Sequence, residues 1–223
     1  MELWELLGIE PGITAVIGSG GKSTTLAVLS EELQKKGKVI CCTTTHFFPL
    51  EGMPLLRDAE EGELRAALQE HDRVCLGDTG PSGKLGASKI SMAHLRELAD
   101  YVLVEADGSR CLPIKAHRPY EPVIPEGTTQ RILLVGASGF GRPIREAVHC
   151  PELFCERSGA SPTDLVTPEA VAKAMQAEAL GDKVFVNQAE SQERMAQARR
   201  LAEAVDRPVF AGSLQGRKWQ CLS

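Results

Sequence analysis

The stretch ITAVIGSGGKSTT, residues 13–25, decides the fold of this chain. An apolar, β-branched run leads into a glycine-rich turn, and the turn ends in Lys-Ser-Thr before a series of helix formers. This order is typical of a strand, a phosphate-binding loop and the first turn of a helix. Glycines let the backbone curl so that successive N–H groups meet one anion, and the start of the helix adds unpaired donors and a positive dipole end.

The spacing of the loop is that of a short phosphate-binding pattern, G-x-x-G-K-S-T, running from Gly18 to Thr24. The longer pattern needs glycine at position 16, where the chain has Val16. We expect Lys22 to reach the β- and γ-phosphates of a nucleotide and to be catalytic, and the Ser23 hydroxyl to ligate Mg²⁺. An ordinary glycine-rich turn that packs a helix on a sheet is the alternative interpretation. The predicted nucleotide-binding residues of this loop are Gly18, Ser19, Gly20, Gly21, Lys22, Ser23 and Thr24.

Length and composition restrict the class of protein. A chain of 223 residues with 43% hydrophobic residues predicts a single domain over 1–223, with a small helical lobe at about 143–180. A net charge of −5 disfavours a nucleic-acid-binding surface. The N-terminus lacks the pattern of a secretory signal, and no apolar run reaches the length of a membrane span. Seven cysteines without a C-x-x-C pair indicate reduced thiols and a cytoplasmic protein.

An apolar strand at 101–104 ends in acidic residues, Glu105 and Asp107. Carboxylates in this position are the usual partners of a phosphate loop, where they hold Mg²⁺ and orient an attacking water. We predict both as metal ligands and Glu105 also as catalytic. A charged strand end that faces solvent is the alternative.

A second strand, residues 38–43, runs into Thr44, Thr45 and His46. Its hydroxyl groups should lie at the carboxyl edge of the sheet, where ligands of α/β proteins bind. Thr44 is a predicted metal ligand, and Thr45 and His46 are predicted to bind substrate.

Basic residues follow the acidic strand end within a proline-rich segment, residues 112–125. Four prolines there make the segment extended. Arg110 is the candidate cation for a transition state. Lys115, His117 and Arg118 are predicted to bind an anionic second substrate or the γ-phosphate, with a structural crossover carrying solvated charges as the alternative.

The strand at 183–186 ends in Asn187-Gln188-Ala189-Glu190, where many GTPases carry N-K-x-D. We predict that Asn187 contacts the nucleotide. The sequence does not establish guanine specificity, because glutamine replaces lysine and glutamate replaces aspartate. A helix-capping asparagine beside a surface glutamate is the alternative.

Together these stretches resemble the selenium-dependent hydroxylase accessory proteins, also called the YqeC-like family. The resemblance implies a bacterial cytoplasmic P-loop protein that serves the maturation of selenium-dependent molybdenum hydroxylases, with a hydroxylase or its maturation factors as partner. The short loop and Glu-Ala-Asp are also similar to Mur ligases and folylpolyglutamate synthases, which phosphorylate a carboxylate with ATP and Mg²⁺. The stretches that carry the family resemblance are residues 18–25, 43–46, 104–110 and 112–125, and Asn187.

The sequence therefore predicts a three-layer α/β fold of the P-loop NTPase type, with a mostly parallel sheet and helices on both faces. The leading functional hypothesis is Mg²⁺-dependent binding of ATP or GTP with hydrolysis or phosphoryl transfer. A nucleotide-gated binding module with incidental turnover and a small-molecule kinase or ligase are the other hypotheses. Dimers are common among P-loop proteins of this kind, so a homodimer stays open.

Overall fold

The structure, a computed structural model, describes residues 1–223 of the chain. The helices are α1 (Leu3–Leu7), α2 (Lys22–Leu33), α3 (Glu61–Glu70), α4 (Met92–Leu98), α5 (Ile144–Ala147), α6 (Pro151–Ser158), α7 (Pro168–Glu178) and α8 (Gln192–Ala204). The strands are β1 (Gly12–Gly18), β2 (Val39–Thr43), β3 (His46–Phe47), β4 (Leu55–Arg57), β5 (Arg73–Thr79), β6 (Leu85–Gly86), β7 (Tyr101–Glu105), β8 (Ile114–Lys115), β9 (Thr128–Gly136), β10 (Val148–His149), β11 (Lys183–Asn187), β12 (Val209–Ser213) and β13 (Lys218–Cys221).

The chain forms two compact units, and each unit is assembled from separate segments of the sequence. The first unit consists of Met1–Val16, Ser23–Gly108 and Val123–Gln130. The second unit consists of Ile17–Lys22, Ser109–Pro122 and Arg131–Ser223. The glycine-rich stretch contributes to both units, because its residues up to Lys22 belong to the second and Ser23 onwards to the first.

In the first unit the strands β1, β7, β2 and β5 lie side by side in that order and run parallel. The short strands β6 and β3 extend this order with antiparallel pairing, and β4 pairs with β5. Every residue of β1, β2 and β7 is buried, as expected for parallel strands that are covered on both faces.

The core of the first unit is a cluster of aliphatic side chains from these strands and from α3 and α4. Leucines on the inner face of each helix, Leu64 and Leu68 of α3 and Leu95 of α4, pack against valines of the strands. This spacing is what an amphipathic helix on a sheet requires. The buried members of the cluster are Ile13, Ile40, Cys42, Ala59, Leu64, Leu68, Val74, Leu76, Ile90, Leu95, Ala99, Val102 and Val104.

In the second unit β9, β11 and β12 run parallel, and β13 closes the edge as the antiparallel partner of β12. A separate pair of two-residue strands, β8 and β10, is also parallel. Helix α7 begins at an N-cap, Thr167, whose side chain accepts a hydrogen bond from the N–H of Ala170, with Pro168 at the first helical position. Helix α8 begins at an N-cap, Ser191, whose side chain accepts a hydrogen bond from the N–H of Arg194.

The structure confirms the predicted fold class, an α/β protein with a mostly parallel sheet. Two features differ from the expectation. The helical stretch at 143–180 includes α5, α6 and α7 but also the strand β10, and the sequence did not predict β13. No helix combines the length and the apolar character needed to cross a membrane.

Candidate functional site

The carboxyl ends of three parallel strands, β1, β7 and β2, lie side by side in the first unit. Glu105 at the end of β7 lies opposite Val16 of β1 on one side and opposite Thr43 of β2 on the other. The polar residues that follow these strands therefore meet at one edge, the carboxyl edge at which α/β proteins bind ligands.

Glu105 is the centre of this edge and is 7% exposed. The Ser23 hydroxyl, in the first turn of α2, donates a hydrogen bond to Oε2 of Glu105 at 2.9 Å. The Thr43 hydroxyl donates to the main-chain oxygen of Glu105 at 2.7 Å. Thr24 is exposed beside Ser23. Two predicted metal ligands, Ser23 and Glu105, are thus in direct contact.

Asp107 lies two residues beyond β7 and is fully buried. The residue between the two acids, Ala106, is held by main-chain hydrogen bonds through both its N–H and its oxygen. Its N–H donates to the oxygen of Val16 at 3.1 Å, and its oxygen accepts from the N–H of Val123 at 2.9 Å. The main chain that carries both carboxylates is therefore well positioned.

The hydroxyl cluster after β2 is largely engaged within the first unit. The Thr44 hydroxyl donates to the main-chain oxygen of Val123 at 2.7 Å. The N–H of Thr45 donates to the Thr43 hydroxyl at 3.0 Å, which tightens the turn after the strand. His46 is exposed and lies in β3, opposite Gly86. Ligand binding by Thr44, Thr45 and His46 stays a prediction.

The glycine-rich loop, residues 18–22, lies in the second unit on the ends of its strands. The N–H of Ser19 donates to the oxygen of Leu134 in β9 at 3.0 Å. The Ser19 hydroxyl donates to the oxygen of Leu112, and the N–H of Gly136 donates to the oxygen of Pro113 at 2.8 Å. The proline-rich segment therefore packs under the loop together with β9.

The glycines of the loop could not be replaced without displacing their neighbours, as Gly20 and Gly21 show. Gly20 has φ of +92°, and an added Cβ would lie 2.4 Å from Cα of Gly136. Gly21 has φ of +131°, and its added Cβ would lie 2.4 Å from Nδ2 of Asn187. Both conformations strongly favour glycine, so backbone geometry and close packing together select the loop sequence.

Lys22 is buried, and its ammonium group lies over the loop. Nζ donates to the main-chain oxygen of Gly18 at 2.7 Å and to the hydroxyl of Ser109 at 3.1 Å. A positive charge is thus held at the glycine-rich turn, next to the N-terminus of α2, as a phosphate site requires.

Asn187, at the end of β11, connects the loop to the chain that follows β12. Its Nδ2 donates to the main-chain oxygen of Gly20 at 2.7 Å, and its Oδ1 accepts from the N–H of Leu214 at 3.0 Å. The side chain is 6% exposed. Asn187 therefore positions the loop, and its contact with nucleotide stays a prediction.

Arg110, the predicted transition-state cation, is exposed on a tight turn. Arg110 and Cys111 have φ of +50° and +59°, and the N–H of Leu112 donates to the oxygen of Ser109 at 3.0 Å. Two successive left-handed residues other than glycine are unusual in a turn. Ser109 contacts Lys22, and this turn leads the chain from Ser109 into the proline-rich segment that packs under the loop.

The predicted second-substrate cluster pairs with carboxylates within the second unit. The Lys115 ammonium lies 2.8 Å from a carboxylate oxygen of Glu121, with its side chain fully buried. Nδ1 of His117 lies 2.6 Å from Oε2 of Glu178, which also receives Arg157 on its other oxygen. Arg118 is half-buried. The Lys115 pair lies within the proline-rich segment, whereas the Glu178 pairs hold that segment against α6 and α7. Anion binding by Lys115, His117 and Arg118 stays a prediction.

His149 of β10 lies next to this segment, opposite Lys115 in the register of β8 and β10. Burial lowers the pKa of His149, and the positive charges of Lys115 and Arg118 lower that pKa further. The fold therefore favours the neutral form of this imidazole.

Sequence reasoning did not assign Ser109, whose hydroxyl contacts Lys22, or the two main-chain oxygens of Leu112 and Pro113 that support the loop. The proline-rich stretch was singled out for its composition, but its role as a support depends on contacts across about ninety residues of sequence. No group of three or more His, Cys, Asp or Glu side chains forms a metal site by itself.

These features define the class of protein, an α/β protein with the strand, glycine-rich loop and helix of the P-loop type. The model of the family described as YqeC protein matches residues 14–152. A protein of Escherichia coli (strain K12), "Uncharacterized protein YqeC", is 32% identical over 160 residues, which cover 68% of this chain and 62% of that protein. The chain belongs to the YqeC family, and its match spans less than two thirds of the length of this relative.

Among solved structures, the chain is similar to the signal recognition particle 54 kDa protein from Aeropyrum pernix K1, determined in complex with GDP. The superposition covers 96% of this chain and 44% of that chain, with 12% sequence identity and a TM-score of 0.40.

Proposed function

We propose that this protein binds a nucleoside triphosphate, ATP or GTP, together with Mg²⁺ and hydrolyses it or transfers its terminal phosphoryl group. The observation that carries the proposal is the glycine-rich loop, whose backbone is packed in one conformation with the Lys22 ammonium over it. A loop of this kind offers successive N–H groups to one anion, and the start of α2 adds further donors.

We assign phosphate binding to the glycine-rich loop and to the residues that hold its backbone in place. Gly18, Gly20 and Gly21 form the cradle, with Ser19 between the first two glycines and Thr24 beyond Lys22, and Lys22 neutralises the phosphate charge. Asn187 and the oxygens under the loop keep this backbone in place, so the site is organised before the ligand arrives. Such pre-organisation favours tight binding, because little conformational entropy is lost on association.

The donor set at the edge of the first unit fits Mg²⁺. Mg²⁺ prefers oxygen ligands at about 2.0–2.1 Å in octahedral geometry, so neighbouring ligand oxygens lie about 3 Å apart. The Ser23 hydroxyl and the Glu105 carboxylate are 2.9 Å apart, and the Asp107 carboxylate is fully buried two residues away. We assign Ser23, Glu105 and Asp107 to the ion, with Thr44 as a further oxygen donor.

The chemistry assigned to these residues follows from their charge and position. A bound Mg²⁺ would supply positive charge against the phosphate oxygens. Glu105 is suited to orient an attacking water through its carboxylate, and Lys22 and Arg110 to stabilise the charge of the transition state. Arg110 is exposed on its turn, so it can approach a ligand without breaking a buried ion pair.

The test is a panel of ligands, with and without Mg²⁺, measured by thermal unfolding. Pyrophosphate, ATP and GTP at a hundredfold excess over Kd should each raise the melting temperature by about 5–10 °C in the presence of Mg²⁺. The variant Lys22→Ala should lose this shift relative to its own melting temperature. Lys35→Ala, which removes an exposed lysine at the end of α2, should keep it.

The same panel separates binding from turnover. Steady phosphate release that Glu105→Gln abolishes would support hydrolysis. Binding without release would exclude hydrolysis and leave a nucleotide-gated module. The proposal is wrong if none of the ligands raises the melting temperature, or if Lys22→Ala keeps the full shift.

We further propose, from the resemblance and the family membership, that this nucleotide chemistry serves the maturation of selenium-dependent molybdenum hydroxylases in the bacterial cytoplasm. The support is the family-specific sequence from residue 104 to residue 125, which contains the acids, the Ser109 turn and the support of the loop. A hydroxylase or one of its maturation factors would then be the protein partner. A strain without this chain should make hydroxylase protein in normal amounts but with reduced activity.

A further inference from the structure

A cleft of about 520 Å³ lies in the second unit. Its lining comes from the turn after β11, the first turns of α8 and the β12–β13 hairpin. The volume is within the range of about 300–1,000 Å³ that small-molecule sites occupy. The lining combines Trp219 and Met195 with one acidic residue, Glu190, and one basic residue, Lys218.

The cleft is joined to the glycine-rich loop by short, direct contacts. Asn187, which donates to Gly20, is two residues before Ala189 in the cleft lining. Leu214, whose N–H donates to Asn187, directly follows Ser213, which also lines the cleft. The N–H of Ala189 donates to the oxygen of Gly212 at 2.9 Å, which joins the turn after β11 to the end of β12. A ligand whose phosphates lie on the loop can therefore extend into the cleft.

We propose that this cleft binds the base of a guanine nucleotide, with Trp219 as the stacking surface and Glu190 as the residue that selects guanine. The inference rests on the proposed phosphate-binding function of the loop and adds the identity of the base. An aromatic ring beside a thioether is a favourable surface for a flat, polarisable base.

The carboxylate decides between the two purines. Guanine presents two neighbouring donors, N1–H and the N2 amino group, which one carboxylate accepts together. Adenine presents an acceptor, N1, next to its amino group, and a carboxylate repels that acceptor. Glu190 is exposed, and its Oε2 lies 3.4 Å from Nη1 of Arg194, which also donates to the oxygen of Gln188 at 3.3 Å. Arg194 thus restrains the Glu190 carboxylate in the turn after β11.

Tryptophan fluorescence tests the proposal directly, because the chain has two tryptophans and Trp4 lies in α1 of the first unit. In the variant Trp4→Phe all tryptophan emission comes from Trp219. GDP with Mg²⁺ should quench this emission and should bind at least about tenfold more tightly than ADP or pyrophosphate. Pyrophosphate should bind without quenching.

Each result has a separate meaning. Equal affinities for GDP and pyrophosphate, without quenching by GDP, would overturn the base site while leaving the phosphate site intact. Tighter binding of ADP than of GDP would overturn the assignment to guanine. If none of the three ligands binds, the proposed function itself fails, and this inference fails with it.

Matched variants identify the residues. Glu190→Ala should weaken GDP about tenfold and leave pyrophosphate unchanged, whereas Glu193→Ala, three residues further and outside the cleft lining, should change neither. Trp219→Ala should weaken GDP, and Trp219→Phe should restore most of the affinity because it keeps an aromatic face. Unchanged GDP binding in a folded Glu190→Ala protein would overturn the role of the carboxylate.

Discussion

Gly20 shows how a single residue sets the shape of the loop. Its φ is positive, and its Cα faces the backbone of Gly136 so closely that an added Cβ would lie 2.4 Å from that Cα. Backbone atoms cannot rotate away as a side chain can. The sequence therefore needs glycine at this position for a reason separate from ligand binding.

Comparison of two glycines separates the strain of the conformation from the clash. Gly141 also has a positive φ, +75°, but nothing lies within 4 Å of an added Cβ. We expect Gly141→Ala to lower the free energy of unfolding by about 1 kcal/mol through backbone strain alone, and Gly20→Ala to lower it by about 1–3 kcal/mol more through overpacking. Urea unfolding midpoints at equal m-values measure the difference. Equal losses in the two variants would contradict the contact of Gly20 with Gly136.

The residue scale also shows the limits of sequence reasoning. The pairing of Ser23 with Glu105 follows from two local patterns, a phosphate loop and an acidic strand end, and both were predicted. Ser109 was not assigned, because a serine in a turn has no local signature for a contact with a lysine 87 positions away. Its position depends on the left-handed pair Arg110 and Cys111, which no propensity predicts.

At the scale of elements, the pairing of β8 with β10 places His149 opposite Lys115, and the lowered pKa of this histidine makes the free energy of unfolding depend on pH. The pKa of His149 is lowered in the folded chain, mainly by burial and then by Lys115 and Arg118, and Glu121 opposes this shift only in part. The unfolded chain therefore binds the proton more readily. This contribution to stability is present above the unfolded pKa of about 6.5 and is lost as the pH falls below it.

We therefore expect the free energy of unfolding to decrease between pH 7 and pH 5.5, with a contribution from His149 of at most about 1.4 kcal/mol per pH unit. Urea unfolding as a function of pH should show a shallower decrease for His149→Gln. His71→Gln, at an exposed position after α3, serves as the control and should follow the wild type. A slope for His149→Gln equal to that of the wild type would contradict the assignment.

Elements with a strong pattern were predictable, and those without one were not. The buried strands β1, β2 and β7 and the helices α3 and α8 follow from apolar periodicity and flanking turn residues. Strand β13 was missed because Lys218–Cys221 is mostly exposed, so its pairing with β12 leaves no hydrophobic alternation to detect. Strand β6 has two residues and is specified by its pairing with β5 and β3.

At the scale of the whole molecule, five of the seven cysteines fall into two classes, while Cys150 is buried and Cys155 is half-buried in the second unit. Cys41, Cys42 and Cys75 lie inside the first unit, and burial raises the pKa of each thiol, that of Cys42 to about 12. The thiolate is the reactive form, so these groups should be inert in the folded protein. Cys111 and Cys221 are exposed.

Titration with an aromatic disulfide reagent at pH 8 should show two fast thiols in the native protein and the buried ones only after unfolding. The variant Cys111→Ser/Cys221→Ser should lack the fast phase while keeping its melting temperature. Rapid reaction of Cys41, Cys42 or Cys75 would show that the first unit opens readily.

The fold class could be predicted because one stretch, residues 13–25, contains the signal for strand, loop and helix together. The family could be predicted because further stretches, above all residues 104–110 and 112–125, carry the resemblance. The cleft beside Trp219 could not, since it is formed by β13 and by turns that are far from the loop in sequence. Local patterns specify what a segment forms. They do not specify which distant segment completes a site.

The contact between Asn187 and Gly20 joins residues 167 positions apart, and this separation has a consequence for synthesis. The loop leaves the ribosome near the start of translation, but the amide that holds it is added only after another 167 residues, roughly 8 to 33 s later at 5–20 residues per second. A nascent chain therefore carries every residue of the loop long before it can hold the loop's shape. Messenger RNA cut short before codon 187 should yield chains with an intact glycine-rich sequence and no affinity for phosphate.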